Sequence, residues 1–437
     1  MKTIFRYTNV AVLTAMIFAA GALGTWAQDA CGDAAGQTAS YDNFLEKFKV
    51  KTIEGRKAFI EAAKQFMDKY GACDSAKENA AYFKAQIPKW EDAVKKMEEE
   101  ARKTALVTRF DNALKAKNWD EVYPAGKDIL AAYPEDFRVV EIVLAAVGGE
   151  EAFKANFKYN DDALRYAKAS IADLEANKAF KVGDKERFGL SLANAYNFEF
   201  ANRADAIAWM NLYAGYIVGA GQKNKAAAAP YLYKASQASA SDAAKNPVSF
   251  ELIGNYYFEE LNKVVEQIQA KIKDQKDTDA ADVAAKKVED IKALVAMSNG
   301  ISERAMDAFS RAFTLAKDPA YKAKMKKNVA DAYKVRFAKE TGVDEWIASA
   351  IAKPFVNPTT PVAPITDPEP TTTTSNTSGP GTGTGAPSGT GIGAANGTGI
   401  GAANGSGIGG TKASPTTTTA KPAAAPAKPA SSIKPKK

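Results

Sequence analysis

Apolar residues recur at helical spacing along most of the chain between residues 44 and 350, and no other feature narrows the fold as much. Phe44, Leu45 and Phe48 open the pattern. In the stretch TIEGRKAFIEAAKQFMDKYG, Ile53, Phe59, Ile60, Ala63, Phe66 and Met67 fall on one stripe of a helix, and Gly71 supplies a stop. Ser75 is placed to cap the next helix, whose apolar positions run from Tyr82, Phe83 and Ile87 to Trp90, Val94 and Met97. Pro88 lies inside that run and removes a donor from the helix ladder, so a kink there or a break just before it is expected. Runs of alternating Val, Ile or Thr between turn residues are nearly absent, so the body reads as all-α.

Two stretches look like a long charged hairpin joined by Asp274 to Asp279. The first carries Leu261, Val264, Val265, Ile268 and Ile272. The second carries Ala284, Val288, Ile291, Leu294 and Val295. A pair of lengthened helices packing on each other is favoured over a partner-binding coiled coil.

The first 27 residues read as an export signal. Lys2 and Arg6 precede an apolar run from Val10 to Leu23, and Thr25-Trp26-Ala27 offers a cleavage site, with Ala20-Gly21-Ala22 as a second. The apolar run is shorter than the roughly 20 residues a spanning helix needs, and no later segment is long and apolar enough to cross a bilayer. The expected location is therefore outside the cytoplasm: periplasmic, cell-surface or secreted. Lipidation of Cys31 is disfavoured by the polar Gln28-Asp29 before it. An exported chain with two cysteines invites a bond between Cys31 and Cys73. Free thiols and intermolecular bridges are the alternatives, and the intramolecular bond is favoured.

The formal net charge is +7, but it is unevenly distributed. Lys2 and Arg6 supply +2, and residues 358–437 carry six Lys against Asp367 and Glu369. The body is left with +1, which is not the clustered basic face that nucleic acid requires. After Pro354 the composition changes. Pro and Thr dominate to Thr374, and the octad GTGIGAAN occurs at Gly389–Asn396 and again at Gly397–Asn404, with a third copy starting at Gly405. The end holds Lys412, Lys421, Lys428, Lys434, Lys436 and Lys437 with no acidic neighbour. Such a segment buries too little apolar surface to offset the entropy of ordering, so a disordered tail is expected from 357 to 437. The sequons at Asn376, Asn396 and Asn404 read as accidents of tail composition.

The helical stretches repeat. Phe250-x2-Ile253-Gly254-x2-Tyr257 follows Asn246-Pro247, and Trp209-x2-Leu212-x3-Tyr216 precedes it by 41 residues, with Tyr213 in place of the small residue. Second members of the repeat begin at Asn118-Trp119, continuing through Val122 and Ile129-Leu130 to Pro134, and appear at Ala163-Leu164, Ala229-x3-Tyr233 and Ala305-x3-Phe309. Val122 and Ala163 are again 41 apart. From about 105 to 340 the chain thus resembles the tetratricopeptide-repeat family, at a spacing longer than that family's usual 34. An extra helix between repeats is expected over 184–200, from Phe188, Leu192 and Tyr196. The resemblance implies a solenoid of helical hairpins over 105–356, behind an N-terminal helical region at 28–104. It also implies a concave groove that binds protein or peptide segments. Carried onto the best-matching repeat, the groove positions are Glu251, Asn255, Phe258 and Glu259.

The chain contains no histidine, which removes histidine-based catalysis and every histidine-containing metal site. Two cysteines cannot build a four-thiolate zinc site, and no phosphate-binding Gly-rich loop occurs. Carboxylate pairs at Glu259-Glu260, Asp161-Asp162 and Glu98-Glu99-Glu100 sit among lysines and read as solvated charge rather than as a hydrolase pair. The expectation is a non-enzymatic scaffold with no cofactor and no metal. The alternative is an envelope structural protein whose Lys/Ala/Pro tail contacts an anionic wall or surface polymer.

Overall fold

The computed structural model describes residues 30–368. The export signal, the octads, the sequons and the lysine-rich end lie outside the described residues. Within them the chain is all-α, with twelve helices and two small β-hairpins.

The first three helices form a small core of their own. α1 (Ala34–Phe48) packs on α2 (Ile53–Tyr70), and α2 packs on the first half of α3 (Lys77–Lys115). Asp33 caps α1 by accepting from Gly36 N at 2.9 Å, and Thr52 caps α2 by accepting from Gly55 N at 3.1 Å. The expected apolar stripe of α2 is buried at Phe59, Ile60, Ala63 and Phe66. Phe59 and Phe66 meet Phe44, Phe83 and Trp90 in an aromatic cluster with centroids from 4.7 Å (Phe44–Phe83) to 6.4 Å (Phe83–Trp90) apart. Cys31 and Cys73 are joined as expected, with Cα atoms 5.1 Å apart, which ties the start of the region to the end of α2.

One local expectation fails here, and so does the second half of another, the break before Pro88. Ser75 does not cap α3; it sits in a single 3-10 turn at Asp74–Ala76, and its hydroxyl bonds Gln37 Oε1 at 2.9 Å. Nor does Pro88 break the helix, since α3 continues through it to Lys115. Phe83 and Ile87 before the proline and Val94 after it are all buried in the same core. That packing offsets the cost of about 3 kcal/mol of an interior proline.

Beyond α3 the helices pack pairwise in sequence. The end of α3 pairs with α4 (Trp119–Ala132), α5 (Val139–Phe153) with α6 (Asn160–Glu175), and α7 (Arg203–Tyr216) with α8 (Lys225–Gln237). α9 (Pro247–Lys273) pairs with α10 (Ala281–Leu315), which also holds α11 (Pro319–Phe337) and α12 (Val343–Ile351). First members touch each other across pairs, α5 with α7 and α7 with α9, so one apolar core runs through the array. Each expected second member (from Trp119, Ala163, Ala229 and Ala305) is the second helix of a pair. The small residue Gly254 earns its place, because a Cβ there would lie 2.6 Å from the buried Phe309 ring. In the preceding pair the sizes are exchanged: Tyr213 fills that position, and its ring covers Gly149 of α5, where a Cβ would lie 2.2 Å away.

The charged hairpin is two lengthened helices packed on each other, closed at its tip by Lys287 with Asp274 and Asp279, each at 3.0 Å. The region 184–200 is not the expected helix. It folds as hairpins β1 (Lys181–Val182) with β2 (Lys185–Glu186), and β3 (Phe188–Leu192) with β4 (Tyr196–Phe200). Phe188, Leu192 and Tyr196 satisfy a four-residue spacing, but they also satisfy a two-residue spacing together with Leu190, Phe198 and Phe200. A three-residue turn with Asn194 at φ 64° closes β3–β4. The hairpin packs on α5 and carries Phe198 to Trp119, Phe200 to Trp209 and the Tyr196 hydroxyl to Asp111 at 3.0 Å.

Candidate partner-binding surface

The four positions carried over from the repeat pattern all lie on α9, capped by Asn246 with Pro247 at its first turn. Three of them have partners within the chain. Glu251 accepts from the Tyr321 hydroxyl at 2.6 Å and pairs with Lys324 at 2.8 Å, both on α11. The Phe258 ring meets Phe309 edge-on at 4.8 Å. Glu259 pairs with Lys225 at the start of α8. Asn255 is half-buried and has no hydrogen-bond partner among the described residues. Among these four positions, then, Asn255 is the one whose side chain has no partner within the described residues.

An open cleft of 760 Å³ lies farther along, between α9 and α10, lined by Ala270, Ala293, Leu294 and Met297. Asp274 and Asp290 border it, but each is held by lysine: Asp290 by Lys271 at 2.8 Å and Asp274 by Lys287 at 3.0 Å. The acidic pairs noted in the sequence are likewise tied at the surface. Glu98 meets Lys57 at 2.6 Å, Asp162 meets Arg165 at 2.5 Å, and Glu260 meets Lys263 at 2.7 Å.

Two carboxyl groups are set apart by burial: Asp307 of α10, raised to about 6 by desolvation although it pairs with Arg311 at 2.9 Å, and Glu141 of α5. Glu141 on α5 has its Oε2 enclosed without a hydrogen-bond partner, and desolvation, aided by Asp173, raises its pKa to about 7. Its neighbour Arg138 is nearly fully buried; it pairs with Asp173 at 2.8 Å and Glu135 at 2.5 Å and donates to Ala179 O at 2.8 Å. Lys178 pairs with Asp173 from the other side at 2.8 Å. This knot joins the α5–α6 pair to the segment that enters the β-hairpins, a structural position.

The segment after α12 was expected to begin a disordered tail at 357, and here the boundary moves. Phe355 inserts among Phe250 of α9 at 5.0 Å, Tyr233 of α8 at 6.0 Å and the Arg311 guanidinium at 5.1 Å. Pro358 is buried, and Val362 and Ile365 are half-buried. Residues 357–368 then run along α10 against its direction. Arg304 donates to Asn357 O at 3.4 Å and Thr360 Oγ1 at 3.2 Å. Both backbone groups of Ile365 are taken up by α10: its N–H donates to Ala296 O at 2.8 Å, and its carbonyl accepts from Asn299 Nδ2 at 3.0 Å. Asp367 receives a two-pronged bond from Arg336 of α11, at 2.7 and 2.8 Å. Gly300 makes the approach feasible, because a Cβ there would stand 2.2 Å from Ala363 O. Composition hid this strap, since a Pro/Thr-rich stretch reads as unfolded. The spaced apolar residues Phe355, Val362 and Ile365, closed by Asp367, were the available signal.

Among the described residues no group of acidic, cysteine or histidine side chains is arranged to hold a metal ion, and no helix is long and apolar enough to cross a membrane. Compared with known protein families, curated proteins and solved structures, the chain matches none.

Proposed function

We propose that this protein is an exported, non-enzymatic scaffold of tetratricopeptide-like helical hairpins that binds protein or peptide segments. The observation that carries the reading is the pairwise stacking of α3 to α10 around one continuous core, with first members packed on each other, because such arrays expose long helical faces to partners. In each acidic cluster singled out in the sequence at least one carboxylate pairs with Lys or Arg at the surface, which favours binding over hydrolysis. Export accords with the Lys2/Arg6-led signal and with the Cys31–Cys73 bond, which persists in oxidising compartments. The test is affinity capture with the mature chain from an envelope fraction, paired with a deletion strain. A specific partner whose level or location changes on deletion is the expected result; no partner and an unaltered envelope proteome argue against the scaffold.

A second reading is favoured by one feature, the six lysines after Glu369 with no acidic residue among them. In it the tail contacts an anionic envelope polymer and the helices act as a spacer. Deleting 411–437 then releases the protein at low salt, and unchanged fractionation removes the reading.

A further inference from the structure

The strap and the face beneath it differ in the way a ligand differs from its receptor. Arg336 is 5% exposed and is held in place by Glu303 of α10 at 2.9 Å, independently of the strap. Its partner Asp367 is 58% exposed. One half of the clamp is therefore built into the helices, and the other half rests on them. The remaining contacts have the same character. Ala296 and Asn299 read the backbone of Ile365, not its side chain, so they accept any residue in an extended chain. Gly300 removes the one side-chain atom that would hold a peptide backbone away from α10. Most strap residues from 359 to 368 are exposed, so little burial locks the segment down.

We propose that the α10–α11 face bearing Ala296, Asn299, Gly300, Arg304 and Arg336 is a peptide-binding surface, occupied at rest by the chain's own residues 357–368. Its ligand class is an extended, proline-containing segment with a carboxylate two residues after the residue whose backbone is bonded to α10, the relation of Asp367 to Ile365. This rests on the scaffold reading and places its binding site on α10–α11 instead of around Asn255. A partner of this chemistry displaces the strap. Because the strap is tethered after α12, its effective concentration is on the order of mM, so it outcompetes a free peptide supplied at micromolar concentration.

The test uses the full mature chain and a fluorescent peptide with the sequence of residues 357–368, followed by anisotropy. Asp367→Lys in the protein loosens the strap at an exposed position and leaves the receptor side chains intact. The peptide is expected to bind this variant at least about ten-fold more tightly than it binds the unaltered protein. The Asp367→Asn version of the peptide should lose about ten-fold on the same variant, the scale of a charge-assisted pair. Adding Gly300→Ala to the variant should weaken binding by about 30-fold, while circular dichroism confirms an intact helical fold. Equal peptide affinity for the unaltered and Asp367→Lys proteins overturns the proposal, as does indifference to the peptide's carboxylate. An envelope partner captured equally well by the unaltered and Gly300→Ala proteins would leave the scaffold standing and move its site elsewhere.

Discussion

Replacing Gly300 by alanine sets two local effects against each other, and the structure predicts which observable each one moves. Glycine inside a helix costs about 1 kcal/mol relative to alanine, so the substitution strengthens α10 by about that amount. The new methyl, however, would sit 2.2 Å from Ala363 O and 2.9 Å from Val362 Cγ1, well inside ordinary contact. The strap must lift, which parts Ile365 from both Ala296 O and Asn299 Nδ2. Two hydrogen bonds at about 1 kcal/mol net each amount to about 2 kcal/mol. The loss cannot grow without limit, because the strap can let go while the helices stay folded. The cost is capped by the docking free energy, which is itself small: backbone ordering takes back about 1–2 kcal/mol per residue. Global melting should therefore hold steady or rise slightly. Local exchange should respond strongly, since about 2 kcal/mol is about a 30-fold change in opening. Hydrogen–deuterium exchange by mass spectrometry on the fragment spanning 357–368, beside a thermal melt, reads both. A raised melting temperature with unchanged strap protection would refute the reasoning, because it would mean that the strap does not lie against Gly300.

Three further outcomes follow from other parts of the chain. Cys31→Ser/Cys73→Ser opens a loop with a sequence separation of 42 and should destabilise the N-terminal core by about 4 kcal/mol in the chain-entropy model. Exchange should quicken in 53–70 and stay unchanged in α9; equal losses in both would contradict a local role. Glu141 has a folded pKa of about 7, above its ordinary value of 4.5, so the folded state holds a proton that the unfolded state releases. Stability is then lost as pH rises from about 4.5 to about 7, by at most about 3 kcal/mol. Glu141→Gln should show a melting-temperature advantage over the unaltered protein that is small at pH 4.5 and grows by pH 8, and a gain independent of pH would refute this. Arg138→Met strands Asp173 with Lys178 alone and removes the bond to Ala179 O, so a loss of about 2–3 kcal/mol is expected in denaturant unfolding. A change under about 0.5 kcal/mol would place Arg138 among ordinary surface residues.

Much of the helical body was legible because its signals are local. The stripe from Phe59 to Phe66 and the stop at Gly71 mark α2 without reference to any neighbour. The pairing of Gly254 with Phe309 was implied by the repeat pattern, but the Tyr213–Gly149 exchange was not, since the compensating glycine lies in another pair. The β-hairpin was missed because its aromatic residues fit two periods at once, and only packing on α5 decides between them. The break before Pro88 did not occur, because a local rule met tertiary burial on both sides of it. The carried-over positions on α9 could be placed from sequence, yet the α11 partners of Glu251 could not. The strap is the extreme case. Its interactions are backbone-directed, so its side chains give little sign of what holds them, and the one legible contact is a carboxylate whose arginine is 31 residues away.

The long helix α3 serves two cores. Phe83 to Val94 belong to the first and Phe110 to Leu114 to the second, and no residue between Val94 and Phe110 is buried. That bare stretch behaves as a shaft, and its length is a phase angle. Inserting one residue would turn one core against the other by about 100° and shift it by about 1.5 Å. An insertion between Glu98 and Lys103 would leave Lys57–Glu98 (2.6 Å) with the first core and Lys103–Asp136 (2.8 Å) with the second, and would turn one tie against the other. Inserting seven residues amounts to nearly two whole turns and would restore the facing to within about 20°. Along this part of the chain, apart from Glu98, Lys103, Leu106 and Arg109, residue count constrains the fold more than residue identity does.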